Sequence, residues 1–345
     1  MRRMIAAPRV PLHTSRCIRR AVRPPVNTVP VQANTSENDL APLVTKPFIY
    51  GDLLQNVTVY VKMLKDSPFL ACMDLDIAYK KIIDPTFFWV GPDGRDLRGH
   101  SNVNLTETGK LMLKAFNISM SGSYSCNLIY KSIENDVTQE KKMNKYYEFA
   151  VLAYLEPDYM YQINARFTAL PCSDLANARF ALTLLSMIGE VITGLNCHLK
   201  NKYHKCHVTK APKHSLQHEL FVAFKVSPFS RGWDKECSIS SYYCQKETNI
   251  RMEKAKTFIV EFFRMQSLVL KEEFVNIPEI NYIEHSLDII RVDICRPGFG
   301  KNEVTHRDCP GCCVVCDPGT YSSDSSTRCE VCKDIEITSY GATDC

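Results

Sequence analysis

Cysteine content is the feature that most limits what this chain can fold into. The 345 residues include 16 cysteines, and half of these lie between Cys295 and Cys345. The stretch CPGCCVVC, residues 309–316, could hold a zinc ion through thiolates or take part in disulfides. Loops rich in glycine, proline and serine separate the cysteines, and no long apolar element covers a metal, so disulfides are favoured over zinc. We therefore expect a protein of an oxidising compartment.

The last four cysteines form a small internal repeat. Cys316 and Cys329, and then Cys332 and Cys345, are each separated by 13 positions, and turn residues fill each interval. The motifs C-x-PGTY and YGAT-x-C resemble the cysteine-rich repeats of EGF-like and ephrin-receptor-like extracellular modules. Residues 295–345 are therefore predicted to form a small disulfide-rich domain in which the bridges replace a large core. The connectivity stays open, because the cysteines of this segment allow many alternative pairings.

N-x-S/T sequons also favour the secretory route, because N-glycans are added to proteins that follow it. A single sequon often occurs by chance, so the weight lies in there being four, all before residue 120. The asparagines predicted to carry glycans are Asn34, Asn56, Asn104 and Asn117.

The amino-terminal segment 1–45 does not match this picture. Its first 36 residues carry seven arginines and no acidic residue, and they lack the apolar run of a secretory signal. We interpret 1–45 as an unstructured basic segment, from an atypical signal region or a wrongly assigned first exon. Removing the first 36 residues, with their seven positive charges, changes the net charge from +4 to −3, so nucleic acid is not an expected partner. The sequence has no apolar run long enough to predict a membrane span.

Residues 46–154 have the spacing of an immunoglobulin sandwich. Cys72 and Cys126 lie 54 positions apart, Trp89 lies between them in FFWVGPDG, and Tyr124 stands two residues before the second cysteine. This pattern predicts an all-β sandwich with an inter-sheet disulfide, a tryptophan packed on it and a tyrosine that ties the adjacent corner. Alternating apolar residues in KLMLKAF and YYEFAVLAY support strands. The 17 positions between the first cysteine and the tryptophan imply a long connection.

Residues 155–294 combine strand-like and helix-like patterns. YMYQINARFTAL, ELFVAFKV and YIEHSLDIIRVDIC predict strands, and NARFALTLLSMIGEVITGLNCHLKNKY and RMEKAKTFIVEFFRMQSLVLKEEF have the apolar spacing of helices. This order predicts an α+β domain in which helices cover a small sheet. Two local disulfides are predicted from proximity in sequence, Cys197 with Cys206 and Cys237 with Cys244.

Cysteine parity leaves one thiol without a partner in this scheme. If Cys17 lies outside the fold, Cys172 remains unpaired. It lies just before a predicted helix N-terminus, where a thiol has a lowered pKa and exchanges readily. We therefore predict disulfide-linked self-association, or a matrix complex, through Cys172.

Five histidines within 21 residues are the best candidates for chemistry. A zinc protease of the His-Glu-x-x-His type is excluded, because HELFV places Val222 where the second histidine must stand. A zinc or copper site that includes His198, His204 and His207 remains an alternative to surface histidines. The sequence has no G-x-S-x-G, P-loop or G-x-G-x-x-G motif, so we expect neither an enzyme nor a cofactor.

Six motifs together resemble the zona pellucida-binding protein family of sperm acrosomal proteins, and its second paralogue more than its first. The motifs are IDPTFFWVGPDG, SMSGSYSC, YLEPDYMYQINARF, HELFVAF, CPGCCVVCDPGTY and YGATDC, and the resemblance spans about residues 46–345. It implies a non-enzymatic protein of the acrosomal matrix, released at acrosomal exocytosis. The implied partners are zona pellucida glycoproteins and other matrix proteins, and the implied roles are acrosome assembly and adhesion to the egg coat. The alternative is a structural organiser of the matrix that does not bind the egg coat.

Overall fold

The structure is a computed structural model, and its described residues are 48–133, 140–170, 172, 174–210, 216–234, 241–273, 280–323, 326–333 and 335–345. The basic segment 1–45, Cys17 and Asn34 lie outside these ranges. Cys237 also lies outside them, so its predicted pairing with Cys244 is not described, although Cys244 is disulfide-bonded.

Two sheets form the sandwich at the start of the described chain. The elements are β1 (Phe48–Tyr50), β2 (Val57–Lys62), β3 (Phe69–Ala71), α1 (Leu75–Ala78), β4 (Ile83–Val90), β5 (Val103–Leu105), β6 (Lys110–Leu113), a 3-10 helix (Ile118–Met120), β7 (Gly122–Ile133) and β8 (Glu140–Leu155). The smaller sheet has the strand order β1-β3-β6-β5. The larger sheet places β7 between β4 and β8, and β2 runs parallel to β8.

The core of the sandwich forms around the disulfide between Cys72 and Cys126, which joins the two sheets as the spacing predicts. Trp89 on β4 is fully buried, and its ring centroid lies 5.5 Å from that of Phe149 on β8. Its indole Nε1 donates a hydrogen bond to the carbonyl oxygen of Gly109 at 3.0 Å. The indole is therefore both packed and satisfied, as a buried polar group must be.

The corner and the long connection of the sandwich are also as predicted. The hydroxyl of Tyr124 donates to the carbonyl oxygen of Met120 at 2.7 Å, which ties the 3-10 helix to β7. The connection from β3 to β4 contains α1, whose N-cap Asp74 accepts from the backbone N–H of Ile77 at 2.7 Å. A capped short helix thus fills the extra length between the first cysteine and the tryptophan.

A five-stranded sheet covered by two long helices forms most of the described part of the middle of the chain. Its elements are β9 (Asp158–Ala169), α2 (Asp174–Thr193), β10 (His198–Lys210), β11 (Leu216–Ser227), α3 (Ser241–Glu273), β12 (Ile280–Tyr282) and β13 (Asp288–Ile294). The order is β10-β11-β9, and both β12 and β13 pair with the other edge of β9. Every pairing is antiparallel. The arrangement confirms the predicted α+β class.

Both helices cover the same face of this sheet. Phe167 on β9 is fully buried, and its ring centroid lies 5.1 Å from that of Phe180 on α2 and 6.4 Å from that of Phe263 on α3. Apolar residues at helical spacing complete the contact from each helix. They are Leu184, Ile188 and Ile192 on α2, and Met252, Ala255 and Ile259 on α3. Among the described helices, none is long and apolar enough to cross a membrane.

The sequence interpretation missed one strand of this sheet. It extended the first helix through CHLKNKY, but α2 ends at Thr193 and the following residues form β10. The strand lies at the edge of the sheet and carries many lysines, as edge strands do to discourage pairing with other chains. Because most of its side chains are exposed, it lacks the apolar alternation that identifies a half-buried strand.

The predicted disulfide between Cys197 and Cys206 is wrong. Cys206 pairs with Cys172, and Cys197 is a buried free thiol. Nine positions along an extended strand cover roughly 30 Å, whereas disulfide-bonded Cα atoms lie within about 7 Å. In the register of the sheet, Cys206 lies opposite Leu220, which lies opposite Phe167 near the end of β9. Cys172, three residues after the end of β9, is therefore close enough to bond to Cys206.

The prediction of an intermolecular bond through Cys172 is wrong for the same reason. The residue is already bonded within the chain, to a cysteine 34 positions away. Parity counting failed because it relied on sequence proximity, and the antiparallel sheet brings together residues that are distant in sequence.

The cysteine-rich segment consists of short strands held by four disulfides. The strands are β14 (Phe299–Gly300), β15 (Cys313–Val315), β16 (Thr320–Tyr321) and β17 (Glu330–Val331). Both 13-position intervals of the repeat are closed as disulfides, and two further bridges precede them. The pairs are Cys295–Cys313, Cys309–Cys312, Cys316–Cys329 and Cys332–Cys345.

This segment shares the sheet and the core of the sandwich. β15 pairs with the end of β8, with Val314 opposite Tyr154, so the larger sheet continues into the cysteine-rich segment. Phe299, Val314 and Val315 are buried in the same apolar cluster as Trp89. The chain from Thr45 to Cys345 forms one compact unit. The disulfides therefore supplement a shared apolar core.

Gly341 shows how closely the last residues pack on the sandwich. Its φ is +75°, a conformation that favours glycine, and a Cβ atom there would lie 2.7 Å from Cγ2 of Ile118 in the 3-10 helix. This glycine therefore allows the backbone at residue 341 to pack closely against the 3-10 helix, which Tyr124 holds to β7.

Candidate functional site

A row of side chains crosses the outer face of the larger sheet. Phe88 on β4 lies opposite Asn127 on β7, which lies opposite Tyr146 on β8. Because successive strand residues alternate between faces, these three point outward while Trp89 and Tyr147 point into the core. Phe88 is 37% exposed and Tyr146 is 55% exposed. We call Phe88, Asn127 and Tyr146 the outer row.

The centre of the outer row contains an unpartnered hydrogen-bond acceptor. The side-chain oxygen Oδ1 of Asn127 is buried and accepts no hydrogen bond within the part of the chain that the structure describes. A buried acceptor without a partner costs about 1–3 kcal/mol. Because this oxygen is buried, a ligand that offers an N–H or O–H group would recover this energy only by turning the amide toward the surface. The site thus combines two exposed aromatic rings with an acceptor between them.

Charged groups border the outer row on both sides. The guanidinium carbon of Arg98 lies 5.5 Å from the ring centroid of Phe88. Arg98 also forms an ion pair with Asp96, and its hydrogen bonds lower the pKa of that carboxyl group. On the other side, the hydroxyl of Tyr146 donates to the carboxylate of Glu148 at 3.1 Å. The row therefore offers aromatic, amide and charged groups to one ligand.

The predicted glycosylation sites within the described chain avoid the strands of the outer row. Asn56 is exposed just before β2, Asn104 lies half-buried on the edge strand β5, and Asn117 is exposed at the start of the 3-10 helix. The hydroxyl of Ser119 donates to Oδ1 of Asn117 at 2.6 Å within that sequon. No sequon occurs on β4, β7 or β8. The occupancy of all these sites stays a prediction.

The histidines proposed as an alternative metal site lie along β10. His204 lies opposite Val222 and His207 opposite Glu219, so an odd separation places these two histidines on opposite faces of the sheet. His198 stands at the start of the same strand. In the described ranges, no group of three or more His, Cys, Asp or Glu residues is arranged to hold a metal ion.

The five-stranded sheet has a second face, opposite its helices, with a different character. Tyr203 on β10 is 49% exposed, and its ring centroid lies 6.4 Å from that of Phe221 on β11. The side chain of Arg166 forms an ion pair with Glu219 at 3.4 Å on this face. Tyr203 is about as exposed as Tyr146 of the outer row. A substitution at Tyr203 can therefore serve as a control for substitutions in the outer row.

A buried ion pair fixes the junction between the sheets. The guanidinium of Arg296 contacts both carboxylate oxygens of Asp158, at 3.1 and 3.3 Å, and both residues are buried. Asp158 begins β9 and Arg296 follows β13, where Ile294 pairs with Asp158. The pair therefore joins the beginning of the α+β segment to its end, next to the cysteine-rich segment.

A histidine contact also holds the cysteine-rich segment on the sandwich. Nδ1 of His306 lies 3.1 Å from the hydroxyl of Tyr60 on β2, and the two rings meet edge to face. Burial lowers the pKa of His306, and the nearby carboxylate of Asp317 opposes that shift. Burial raises the pKa of Asp317. Both groups titrate at a contact between two segments of the chain.

The sequence interpretation did not select the outer row, although a signal for it existed. Phe88 precedes Trp89 in FFWV, so a buried tryptophan at the second position requires the phenylalanine to face outward. The partners Asn127 and Tyr146 follow only from the register of β4, β7 and β8, which the sequence does not define.

Comparisons with known proteins identify the family. A family model described as the Zona-pellucida-binding protein (Sp38) N-terminal Ig domain matches residues 56–155, and one described as its C-terminal EGF-like domain matches residues 295–345. Neither description names an enzyme. The matches correspond to the sandwich and to the cysteine-rich segment.

Three relatives cover most of the chain. Zona pellucida-binding protein 2 of Gallus gallus is 45% identical over 300 residues, 87% of this chain and 85% of that protein. The protein of the same name from Rattus norvegicus is 42% identical, over 86% of this chain and 91% of that protein. Zona pellucida-binding protein 1 of Gallus gallus is 35% identical, over 86% and 90%. The chain therefore belongs to the zona pellucida-binding protein family and is more similar to these relatives named protein 2 than to the one named protein 1.

Proposed function

We propose that this chain is a non-enzymatic glycoprotein of the sperm acrosomal matrix that binds egg-coat glycoproteins through the outer row. In this role it supports acrosome assembly and holds the sperm to the egg coat after acrosomal exocytosis. The names of the relatives motivate the choice of ligand, and the abundant disulfides suit a secretory protein exposed to proteases and dilution.

The observation that carries this proposal is the composition of the outer row. Exposed aromatic side chains with hydrogen-bonding groups between them are typical of binding hot spots. Phe88 and Tyr146 supply apolar area, and Asn127 supplies an acceptor that the described chain leaves unpartnered. The ligand is a glycoprotein, so a sugar hydroxyl or a backbone N–H is the donor expected to meet this acceptor.

Glycans at the predicted sequons leave this surface accessible. We expect Asn56, Asn104 and Asn117 to be occupied in native protein, because they lie outside the strands of the outer row. Enzymatic removal of N-glycans should increase the electrophoretic mobility of native material, and glycopeptide mass spectrometry should identify the three sites. Unchanged mobility after this treatment would contradict the secretory assignment.

The test of the proposed function is direct binding of the purified full chain to isolated zona pellucida glycoproteins. Combined substitution Phe88→Ala and Tyr146→Ala should weaken binding by at least about tenfold, since truncation of a hot-spot aromatic typically costs about 2 kcal/mol or more. The control is Tyr203→Ala, which removes a tyrosine of similar exposure from the five-stranded sheet and should leave binding unchanged.

The outcomes separate the proposal from its alternatives. Loss of binding in the control but not in the double variant would move the site to the five-stranded sheet. A wild-type chain that sediments with acrosomal matrix but does not bind zona glycoproteins would support the structural-organiser alternative. A melting temperature measured for each variant ensures that lost binding does not arise from unfolding.

A further inference from the structure

A disulfide joins Cys309 and Cys312 across only two intervening residues. It lies at the end of the loop between β14 and β15, directly before β15, in the sequence CPGCC. We propose that this disulfide is a thiol–disulfide exchange site that accepts a cysteine thiolate from another protein chain of the same compartment. The product is a covalent link between the cysteine-rich segment and a partner. The inference does not depend on egg-coat binding.

Backbone hydrogen bonds also hold this loop, in addition to the disulfide. The backbone N–H of Cys312 donates to the carbonyl oxygen of Cys309 at 3.1 Å, which closes a four-residue turn. Pro310 and Gly311 occupy its central positions, and the φ of Gly311 is +77°, the residue choice and sign of a type II turn. The N–H of Cys309 also donates to the carbonyl oxygen of His306 at 3.1 Å. Reduction would therefore leave the backbone bonds of the loop in place.

The residues of this pair are less buried than those of the sandwich disulfide, although Cys312 packs against the edge of the sandwich core. Cys309 and Cys312 are only half-buried, and Pro310 and Gly311 between them are exposed. A Cβ atom placed on Gly311 would meet no other atom within 4 Å, so this side of the turn opens to solvent. By contrast, the cysteines of the sandwich disulfide are fully buried. Exchange depends on access of the attacking thiolate to sulfur.

Among the disulfides between described residues, the fold also opposes reduction of this pair least. In the chain-entropy description, the stabilisation from a disulfide increases with the logarithm of the length of the loop that it closes. The separation here is 3, against 34 for the α+β disulfide and 54 for the sandwich disulfide. Because a fold opposes reduction by the stability that the bond contributes, the shortest loop opposes it least.

The exchange step forms one S–S bond and breaks another, so it needs no added oxidant. A partner thiolate attacks one sulfur of the pair, the new intermolecular S–S bond forms, and the bond between Cys309 and Cys312 breaks. The displaced cysteine leaves as a thiolate and takes a proton from water. Cys197, the free thiol among the described residues, does not supply the attacking group. It is buried, and burial raises its pKa to about 11.

The experiment exposes the oxidised full chain to reduced glutathione as the thiol probe. Samples are quenched with N-ethylmaleimide and mapped by mass spectrometry. We expect glutathione adducts or alkylation at Cys309 and Cys312 at a rate at least about tenfold higher than at any other described disulfide. The melting temperature of the partly reduced protein should match that of the oxidised protein. Substituting both cysteines by serine should remove the early adduct and leave the melting temperature unchanged.

The matched comparison is the pair Cys332 and Cys345, which is also accessible but closes a loop of 13 positions. Reaction at that pair first, or at both pairs at the same rate, would overturn the proposal. So would loss of the cooperative melting transition on reduction of Cys309 and Cys312, or the absence of any adduct there. Each of these results can occur while zona binding is intact, so the two proposals fail separately.

Discussion

Phe88 and Trp89 are adjacent in sequence and have opposite environments. Trp89 is fully buried against Phe149 and donates to Gly109, whereas Phe88 faces outward beside Arg98. At the residue scale, two adjacent residues therefore have different roles. Trp89 stabilises the sandwich core, and Phe88 belongs to the proposed binding surface. Substitutions at these two positions should have separable effects.

Replacing Trp89 by alanine should lower the free energy of unfolding by about 3–5 kcal/mol, because it leaves a large cavity in the core. Phe88→Ala is the matched control, and it should cost less than half as much because part of this ring is already exposed. Thermal or denaturant unfolding followed by far-UV circular dichroism measures both. Equal losses would contradict the assignment of the two faces.

His306 gives the contact between the sandwich and the cysteine-rich segment a pH dependence. Its pKa is lowered in the folded state, so the unfolded chain takes up the proton first as the pH falls. The stability that neutral His306 contributes is therefore present above about pH 6.5 and is lost as the pH falls through the folded pKa. Asp317, which faces it, has a raised pKa. The folded chain therefore takes up this proton first, so that this group increases the stability as the pH falls further. Tyr60 faces His306 from the sandwich.

The test compares the wild type with His306→Gln, which removes the titrating group and keeps a hydrogen-bonding side chain. The melting temperature of the wild type should fall more than that of the variant between about pH 7 and pH 5.5, the range in which histidine titrates. If the two proteins respond identically, His306 does not control this contact.

At the scale of elements, the ends of β9 and β13 meet at a buried ion pair. The buried side chains of Asp158 and Arg296 bond to each other, and the pair joins the α+β segment to the cysteine-rich segment. A buried ion pair adds little compared with apolar residues of similar size, but breaking one is costly because a charge is left unpaired.

Either Asp158→Leu or Arg296→Leu alone should destabilise the protein by about 3–5 kcal/mol, because each leaves one buried charge without its partner. The double substitution should cost less than the sum of the two, and less than the worse single variant. Thermal unfolding of the four proteins gives the coupling energy. Additive losses would show that the two side chains do not act as a pair.

For the whole molecule, the cysteine-rich segment completes the sandwich. β15 extends the larger sheet at the end of β8, and Phe299, Val314 and Val315 are buried in the sandwich core. The close approach of Gly341 to Ile118 adds a second contact. Mechanical or proteolytic damage to the end of the chain should therefore affect the immunoglobulin part as well.

A chain that ends at Ile294 should lose the cooperative unfolding of the sandwich, because β8 would lose a strand partner and the core would be opened to water. Expression, solubility and melting temperature of residues 46–294 can be compared with those of residues 46–345 made in the same way. An unchanged melting transition for the sandwich in the shorter protein would show that the cysteine-rich segment is dispensable.

The sequence by itself determined the immunoglobulin sandwich, the α+β class and the disulfide-rich end of the chain. Spacing sufficed for Cys72, Trp89, Tyr124 and Cys126, because this fold requires those side chains at characteristic separations around one buried cluster. Helical periodicity sufficed for the buried faces of α2 and α3, because local geometry produces it.

Outside the immunoglobulin signature and the repeat of the last four cysteines, only the tertiary structure decided which distant residues meet. Cys172 bonds to Cys206 because β11 lies between β10 and β9 in a particular register, and sequence proximity had pointed to Cys197 instead. The outer row likewise depends on the register of three strands, and the shared core depends on β15 joining β8. The physical reason is common to all three. Strand pairing and these disulfides depend on distances of a few ångströms between residues far apart in the chain, and local periodicity does not define those distances.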